Sequence, residues 1–220
     1  MKALRIGIMA FTYFFRDMSA LIAVRDHVIR NLRNYRHIRV WDAGCAMGPE
    51  PYSLAIIFRE ALGYYGFKKV EIFATDLDEE NRRFGQIIAK GIYPEKSIKR
   101  IPREIKDKYF MKVGHELFQV SDELRRSIIF EKHDLRSFRP VRSDFSLVVC
   151  KNVLLHFKEE ERVKVIKMFY QSLMSNGFLV MEQTQQLPRQ VEDLFDHIVQ
   201  NVQLFQKVPV KEGMTNASAH

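Results

Sequence analysis

A glycine-containing turn is the first segment whose residue types could do chemistry. The segment VWDAGCAMG, residues 40–48, places Gly44 and Gly48 after an apolar run. Glycines at such a turn let backbone N–H groups approach a bound nucleotide-type cofactor closely. The two glycines are four positions apart, so they do not match the GxGxxG pattern of dinucleotide-binding proteins. The spacing leaves two interpretations open: a cofactor-binding loop, or a purely structural turn from strand to helix.

Two aspartates follow the next apolar run, in the segment FATDLD at residues 73–78. A carboxylate at the end of a strand can accept both hydroxyls of a ribose, whereas an aspartate just before a helix is a common N-cap. We expect Asp76 to bind a ribose and Asp78 to lie nearer the cap of a helix that begins near Glu79. The alternative is that both aspartates serve only this cap.

An asparagine follows a later apolar run, in the segment CKNVLLHF at residues 150–157. Asn152 offers a side-chain amide to a polar ligand, although asparagine is also an ordinary turn residue. The glycine turn, the aspartates and Asn152 each come at the end of a predicted strand. Because the carboxyl ends of parallel strands meet at one edge of a sheet, their coincidence favours a shared ligand site.

The elements that must position these residues alternate between the periods of a strand and of a helix. This alternation predicts an α/β fold, with a mostly parallel sheet and helices on both faces. The predicted strands begin at Ile38 and Val70 and then cover Ser127–Lys132, Phe145–Cys150 and Phe178–Glu182, and the predicted helices cover Met18–Leu32, Glu50–Leu62, Glu79–Lys90 and Glu159–Leu173.

Residues 92–126 do not fit a single crossover helix. They contain a helix that starts at Pro102 and two short apolar segments around Gly114, which predict a small inserted β-hairpin. We therefore divide the chain into an N-terminal segment, a main domain with a small β-subdomain, and a polar tail expected to be disordered. The respective residues are 1–36, 37–210 with the β-subdomain at about 107–126, and 211–220.

Composition narrows the class of protein less than the motifs do. The net charge of +8 favours an anionic partner but does not choose among nucleic acid, acidic lipid and acidic protein, and a solvated helix face would also explain it. The chain contains two cysteines, Cys45 and Cys150, which fits a reducing compartment. No apolar run approaches the roughly 20 residues that span a bilayer, so we expect a cytoplasmic protein without membrane insertion.

Six segments in order resemble the CheR-type chemotaxis receptor methyltransferases, over roughly residues 10 to 185. The resemblance implies a Rossmann-like class I methyltransferase fold and S-adenosylmethionine as cofactor. It implies methyl transfer to glutamate side chains of receptor cytoplasmic helices during signal transduction. The segments are FTYFFRD (11–17), VWDAGCAMGPEPYSLA (40–55), FATDLDEEN (73–81), KGIYPEKS (90–97), DKYF (107–110) and CKNVLLHF (150–157).

The resemblance also implies roles for individual residues. Arg16, in the aromatic-arginine motif, would border both the cofactor and the incoming glutamate. His156 stands where the family commonly has a tyrosine close to the reacting methyl group, and histidine can still donate a hydrogen bond. The cofactor-binding residues would be Thr12 and Arg16, Gly44 in the loop, Glu50 at the methionine end, Asp76 at the ribose, Asp134 and Leu135 beside the adenine, and Asn152 and Val153 lining the pocket.

The implied partner is an acidic helical region of a chemoreceptor or a similar signalling protein. Because the loop around Gly114 is short, we expect no tethering to a receptor peptide. Because only a short segment precedes the aromatic-arginine motif, we expect the family's N-terminal helical domain to be absent or truncated. We expect a monomer without a metal ion. We also expect no nucleic-acid substrate, because an NPPY-type target-base motif is missing after the fourth predicted strand. His156 and Ala10 replace the family's tyrosine and asparagine, which motivates the alternative of a non-catalytic, S-adenosylmethionine-binding regulatory module.

Overall fold

The computed structural model describes residues 12–78 and 83–209. The strands alternate with helices, as the sequence predicts. Within these ranges the strands are β1 (Ile38–Ala43), β2 (Val70–Asp76), β3 (Ile92–Pro94), β4 (Phe110–Gly114), β5 (Leu117–Val120), β6 (Ile128–Lys132), β7 (Phe145–Cys150), β8 (Leu173–Met181), β9 (Phe195–Val199) and β10 (Val202–Lys207).

The helices pack on the two faces of the main sheet. A π-helical stretch, Val24–Ile29, joins α1 and α2, so the predicted helix at residues 18–32 is continuous. Pro49 is the first residue of α3, where its missing N–H costs no helical hydrogen bond. The helices are α1 (Met18–Ala23), α2 (Arg30–Leu32), α3 (Pro49–Phe67), α4 (Phe84–Lys90), α5 (Glu95–Ile98), α6 (Arg103–Tyr109), α7 (Asp122–Arg126) and α8 (Glu159–Ser172).

The main sheet has seven strands in the order β6-β2-β1-β7-β8-β10-β9. Strands β6, β2, β1, β7 and β8 are parallel, and β10 runs antiparallel to both β8 and β9. The predicted α/β fold with a mostly parallel sheet is therefore confirmed. Strands β9 and β10 were not predicted, because these last two strands on one side of the sheet are only partly buried and lack a continuous apolar run.

Two predicted elements differ from the structure. Strand β8 begins at Leu173 rather than Phe178, because the Asn176-Gly177 pair, which resembles a turn, forms an irregularity inside the strand. The small insertion is a three-stranded sheet in the order β3-β5-β4, so it contains the predicted hairpin and one further strand. Helix α4 begins at Phe84 with Arg83 as its N-cap, whereas the predicted start near Glu79 lies outside the described residues. Ala10 and the predicted disordered tail at 211–220 also lie outside them.

The core has two layers, one on each face of the main sheet. Successive residues of a strand point to opposite faces, so buried Val40 packs with α1 and α3 while Trp41 packs with α8. The Trp41 indole N–H donates to Thr75 Oγ1 at 2.9 Å, which satisfies its polar atom inside the core. In the described part of the chain, no helix has both the length and the apolar character that crossing a membrane requires.

Candidate active site

The carboxyl ends of three adjacent parallel strands form the floor of a cavity. Strands β2, β1 and β7 are neighbours in the sheet. Asp76 is the last residue of β2, and Gly44 and Asn152 lie in the turns that follow β1 and β7. The cavity has a volume of about 360 Å³. It brings together most of the residues that the sequence analysis proposed: Thr12, Arg16, Gly44, Glu50, Asp76, Asn152, Val153 and His156 all line it.

The turn after β1 requires glycine at its first position. Gly44 has a φ of +101°, a conformation that residues with a Cβ atom rarely adopt. A Cβ atom at this position would lie only 2.1 Å from Cγ2 of Val153. The backbone N–H groups of Gly44 and Cys45 both donate to the carbonyl of Thr75, at 2.7 and 3.0 Å. The turn is therefore tied to β2 and packed against Val153, and Gly44 lines the cavity.

The carboxylate of Asp76 is oriented by two backbone N–H groups. Its Oδ2 accepts from Ala46 at 3.0 Å, and its Oδ1 accepts from Asp78 at 3.1 Å. Each carboxylate oxygen can accept more than one hydrogen bond, so the oriented group can still accept from two hydroxyls in the cavity. This arrangement fits a ribose.

Glu50 and Lys151 form a buried ion pair in the wall of the cavity. Glu50 lies in the first turn of α3, and its Oε1 is 2.7 Å from Nζ of Lys151, whose side chain is only 6% exposed. Oδ2 of Asp17 lies 4.0 Å from the same Nζ. Burial lowers the pKa of Lys151, but the charge and hydrogen bond of Glu50 and the charge of Asp17 outweigh it, so the net pKa is raised. Lys151 is therefore a cation at neutral pH.

Asp42 is a buried acid beneath the same cavity. It is fully buried at the end of β1, and neither of its carboxylate oxygens has a hydrogen-bond partner among the described residues. Burial, followed by the nearby charge of Glu50, raises the pKa of Asp42 well above its ordinary value. The protonated form is favoured, because an unpaired buried carboxylate is costly.

The free energy of unfolding should therefore depend on the charge state of Asp42. An acid whose pKa is raised in the folded state contributes most stability below its ordinary pKa and loses that contribution as the pH rises toward the folded-state value. Asp42→Asn cannot ionise. As the pH rises from about 5 to about 8, we expect its free energy of unfolding to increase by about 1 kcal/mol or more relative to that of the natural protein. Chemical denaturation at several pH values measures the difference. Asp26→Asn, at an exposed aspartate paired with Arg25, should show no such trend. If the free energies of unfolding of Asp42→Asn and the natural protein change with pH in parallel, the raised pKa assigned to Asp42 is wrong.

The segment that carries Arg16 is fixed to α3 and to the small sheet. The N–H of Phe15 donates to Oγ of Ser53 at 2.9 Å, and the Ser53 hydroxyl donates to the carbonyl of Pro49 at 2.6 Å. Phe14 is buried against Tyr93 and Phe110, with ring centroids 5.1 and 5.4 Å away. These contacts hold Arg16 at the wall of the cavity, although it lies far from the strand ends in sequence.

The remaining cavity residues follow β7. Asn152 has a φ of +59°, and Val153 is partly buried against the core on the α8 face. His156 ends a short 3₁₀ turn, where its N–H donates to the carbonyl of Val153 at 3.1 Å, and its side chain is exposed. A ring in this position can donate a hydrogen bond to a group that enters the cavity.

The cavity does not reach two of the proposed residues, Asp134 and Leu135. The Asp134 side chain accepts from the N–H of Arg136 at 2.8 Å and so caps a 3₁₀ turn, while Leu135 is 7% exposed within the core. The N–H of His133 donates to the carbonyl of Asp76 at 2.9 Å, which places the turn after β6 beside the turn after β2. Their assignment to an adenine remains a prediction.

Other reactive groups near the cavity do not suggest further chemistry. Burial raises the pKa of both Cys45 and Cys150 well above the ordinary value, so both remain thiols at neutral pH. Across residues 12–78 and 83–209, the structure contains no group of His, Cys, Asp and Glu side chains that could hold a metal ion. The predicted site residues did not include Asp17, Asp42 or Lys151. The sequence could have indicated Asp42 and Lys151, because a charged residue at the end of an otherwise apolar strand is unusual.

Comparison with known proteins gives one consistent family. A family model described as "CheR methyltransferase, SAM binding domain" matches residues 10–204. The chemotaxis protein methyltransferase of Borreliella burgdorferi is 30% identical over 178 residues, which cover 77% of this chain and 62% of that protein. The Listeria monocytogenes protein of the same name is 31% identical over 176 residues, 79% of this chain and 64% of that protein. The chain thus spans less than two thirds of the length of both relatives.

A solved structure supports the fold independently. The rRNA methyltransferase AviRa from Streptomyces viridochromogenes superimposes with a TM-score of 0.54, at 10% sequence identity. The match covers 90% of this chain and 86% of AviRa. At this identity the likeness concerns the fold alone, which is that of a class I methyltransferase.

Proposed function

We propose that this chain, which belongs to the CheR methyltransferase family, transfers a methyl group to glutamate side chains of a chemoreceptor or a related signalling protein. The product would be a glutamate methyl ester. S-adenosylmethionine is the cofactor of this domain and supplies the methyl group. The observation that carries the proposal is the single cavity in which the strand-end residues Gly44, Asp76 and Asn152 meet Arg16.

The strand-end side of the cavity fits the cofactor. The oriented carboxylate of Asp76 suits the ribose hydroxyls, and Gly44, whose space for a Cβ atom is filled by Val153, brings backbone to the wall of the cavity. Glu50 offers a carboxylate to the ammonium group of the methionine end. Buried Asp42, without a hydrogen-bond partner among the described residues, adds a further polar group beneath this part of the cavity. Together these residues match the chemistry of S-adenosylmethionine.

The Arg16 side of the cavity fits a carboxylate substrate. A glutamate side chain has an ordinary pKa of about 4.3, so it is already ionised at neutral pH and needs no general base. Arg16 can orient the carboxylate through the fork of its guanidinium group. Charge is lost as the ester forms, so a poorly hydrated cavity favours the reaction. A tight ion pair would stabilise the reactant, so the contribution of Arg16 should be mostly geometric.

The proposed partner is an acidic helical region on the cytoplasmic side of a receptor. The relatives from B. burgdorferi and L. monocytogenes are named chemotaxis protein methyltransferases, and a net charge of +8 suits an acidic protein surface. A protein with this substrate would act in the cytoplasm. We expect it to act as a monomer and without a tether to a receptor peptide.

The test is transfer of a labelled methyl group from S-adenosylmethionine to cytoplasmic fragments of chemoreceptors. A glutamate methyl ester is hydrolysed by mild base, so we expect the label to be released as methanol. A fragment whose candidate glutamates are replaced by alanine is the control and should remain unlabelled. If calorimetry finds cofactor binding but no fragment is labelled, even with His156→Tyr, the non-catalytic module becomes the better interpretation.

A further inference from the structure

The ion pair between Lys151 and Glu50 links the two sides of the cavity. Lys151 immediately follows β7, Glu50 is in the first turn of α3, and Asp17 is the residue before α1. The Nζ atom of Lys151 is 2.7 Å from Glu50 and 4.0 Å from Asp17. Three parts of the chain that are distant in sequence therefore converge on one buried ammonium group.

Asp17 in turn sets the position at which α1 begins. Its Oδ1 accepts from the N–H of Ala20 at 3.1 Å and from the hydroxyl of Ser19 at 2.8 Å. Asp17 directly follows Arg16, so a displacement of Asp17 would displace the guanidinium group that we assign to the substrate. Ser53 fixes Phe15 on the other side of Arg16, with 2.9 Å between Oγ and the Phe15 nitrogen.

We propose that Lys151 is a positioning residue, which holds Glu50 and Asp17 together and thereby fixes Arg16 relative to the methionine end of the cofactor. The part that concerns Arg16 rests on the proposed function. The part that concerns Glu50 rests only on cofactor binding. Lys151 would act through these two carboxylates and would not contact the transferred methyl group.

The electrostatics of the cluster support this role. Glu50 lines the cavity and Asp17 lies 4.0 Å from the same ammonium group, and a buried carboxylate without a nearby cation is destabilised in its charged form. The raised pKa of Lys151 indicates that it keeps its charge in this setting. The ionisable groups around the cluster are Asp17 before α1, Asp42 near the end of β1, Cys45 in the turn after β1, Glu50 in α3, Asp76 at the end of β2, Cys150 at the end of β7, and Arg16 and His156 in the cavity wall.

The first experiment measures cofactor binding. We expect Lys151→Met to weaken the Kd for S-adenosylmethionine about tenfold, because the Glu50 carboxylate loses the ammonium group that holds it at 2.7 Å. Lys151→Arg should stay within about threefold of the natural protein, since it keeps the charge. Lys167→Met, at an exposed lysine of α8, is the matched control.

Two results of this experiment would overturn the role. They are a Kd for Lys151→Met equal to that of Lys167→Met, and a loss in Lys151→Arg as large as in Lys151→Met. If Lys151→Met does not fold, Glu50→Gln with Lys151→Met removes both charges and provides the same test. Its Kd should match that of Glu50→Gln alone within about twofold, whereas a further tenfold loss would show that Lys151 does not act through Glu50.

The second experiment tests the link to Arg16. At saturating cofactor, we expect Lys151→Met to lower kcat for methyl transfer about tenfold, with Lys151→Arg restoring most of the loss. An unchanged kcat for Lys151→Met would overturn this link. If the natural protein itself transfers no methyl group, the proposed function fails, while the Kd values for the cofactor still decide the role of Lys151 toward Glu50.

Discussion

Replacing Arg16 with alanine is expected to lower kcat/KM for methyl transfer by at least about 100-fold, while the Kd for S-adenosylmethionine rises less than about tenfold. The reason is geometric, because contacts of the residues on either side of Arg16 hold this part of the chain at the wall of the cavity. Phe15 hydrogen-bonds to Ser53, and Asp17 lies 4.0 Å from Lys151. Without the guanidinium fork, a substrate carboxylate can still enter but is no longer held in one orientation.

Two further variants make the Arg16 result specific. Arg16→Lys keeps the charge but loses the planar fork, so we expect it to recover only a small part of the activity. Arg30→Ala removes one positive charge from the exposed surface of α2 and should change kcat/KM less than about threefold. If Arg30→Ala is as damaging as Arg16→Ala, general attraction of an acidic partner explains the effect, and the assigned position of Arg16 is wrong.

Replacing Gly44 with alanine is expected to weaken the binding of S-adenosylmethionine by at least about 100-fold. The added Cβ atom would meet Val153 at 2.1 Å, so the turn or Val153 must move, and both line the cavity. The positive φ of Gly44 adds backbone strain of about 1 kcal/mol. Calorimetry gives the Kd, and thermal unfolding shows whether the variant still folds.

Gly63→Ala is the matched control for the strain. Gly63 also has a positive φ, +71°, but an added Cβ atom there would have nothing within 4 Å. Both variants therefore carry the strain of a positive φ, and only Gly44→Ala adds the steric conflict in the cavity. Equal cofactor affinity in the two variants would contradict the assignment of the Gly44 turn to the cofactor.

The strand-end residues could be predicted from the sequence because their placement follows from topology. Gly44, Asp76 and Asn152 each lie at or just after the end of an apolar strand, and parallel strands bring their carboxyl ends to one edge. All three line one cavity in the structure. The two interpretations of the glycine turn could not be separated by spacing, since a structural turn and a binding loop need the same residue. The predicted residues Asp134 and Leu135 follow β6, but the cavity does not extend to them.

Arg16 and Lys151 illustrate what spacing alone could not establish. Arg16 precedes the first strand, and its approach to the cavity depends on non-local contacts such as the packing of Phe14 against Phe110. Only the resemblance of the aromatic-arginine motif selected it. Lys151 lies beside Asn152, yet its importance depends on Glu50 and Asp17, which are distant in sequence. The partly buried strands β9 and β10 were missed for a related reason, because their pairing partners decide whether such segments become strands.

The most direct test of the proposed function is the mass of a chemoreceptor cytoplasmic fragment after incubation with the natural protein and S-adenosylmethionine. We expect an increase of one methylene unit per modified site, assigned by fragmentation to glutamate side chains, reversed by mild base and absent with Arg16→Ala. If calorimetry shows that the natural protein binds the cofactor but the receptor fragments keep their mass, the proposal that this protein methylates receptor glutamates is contradicted.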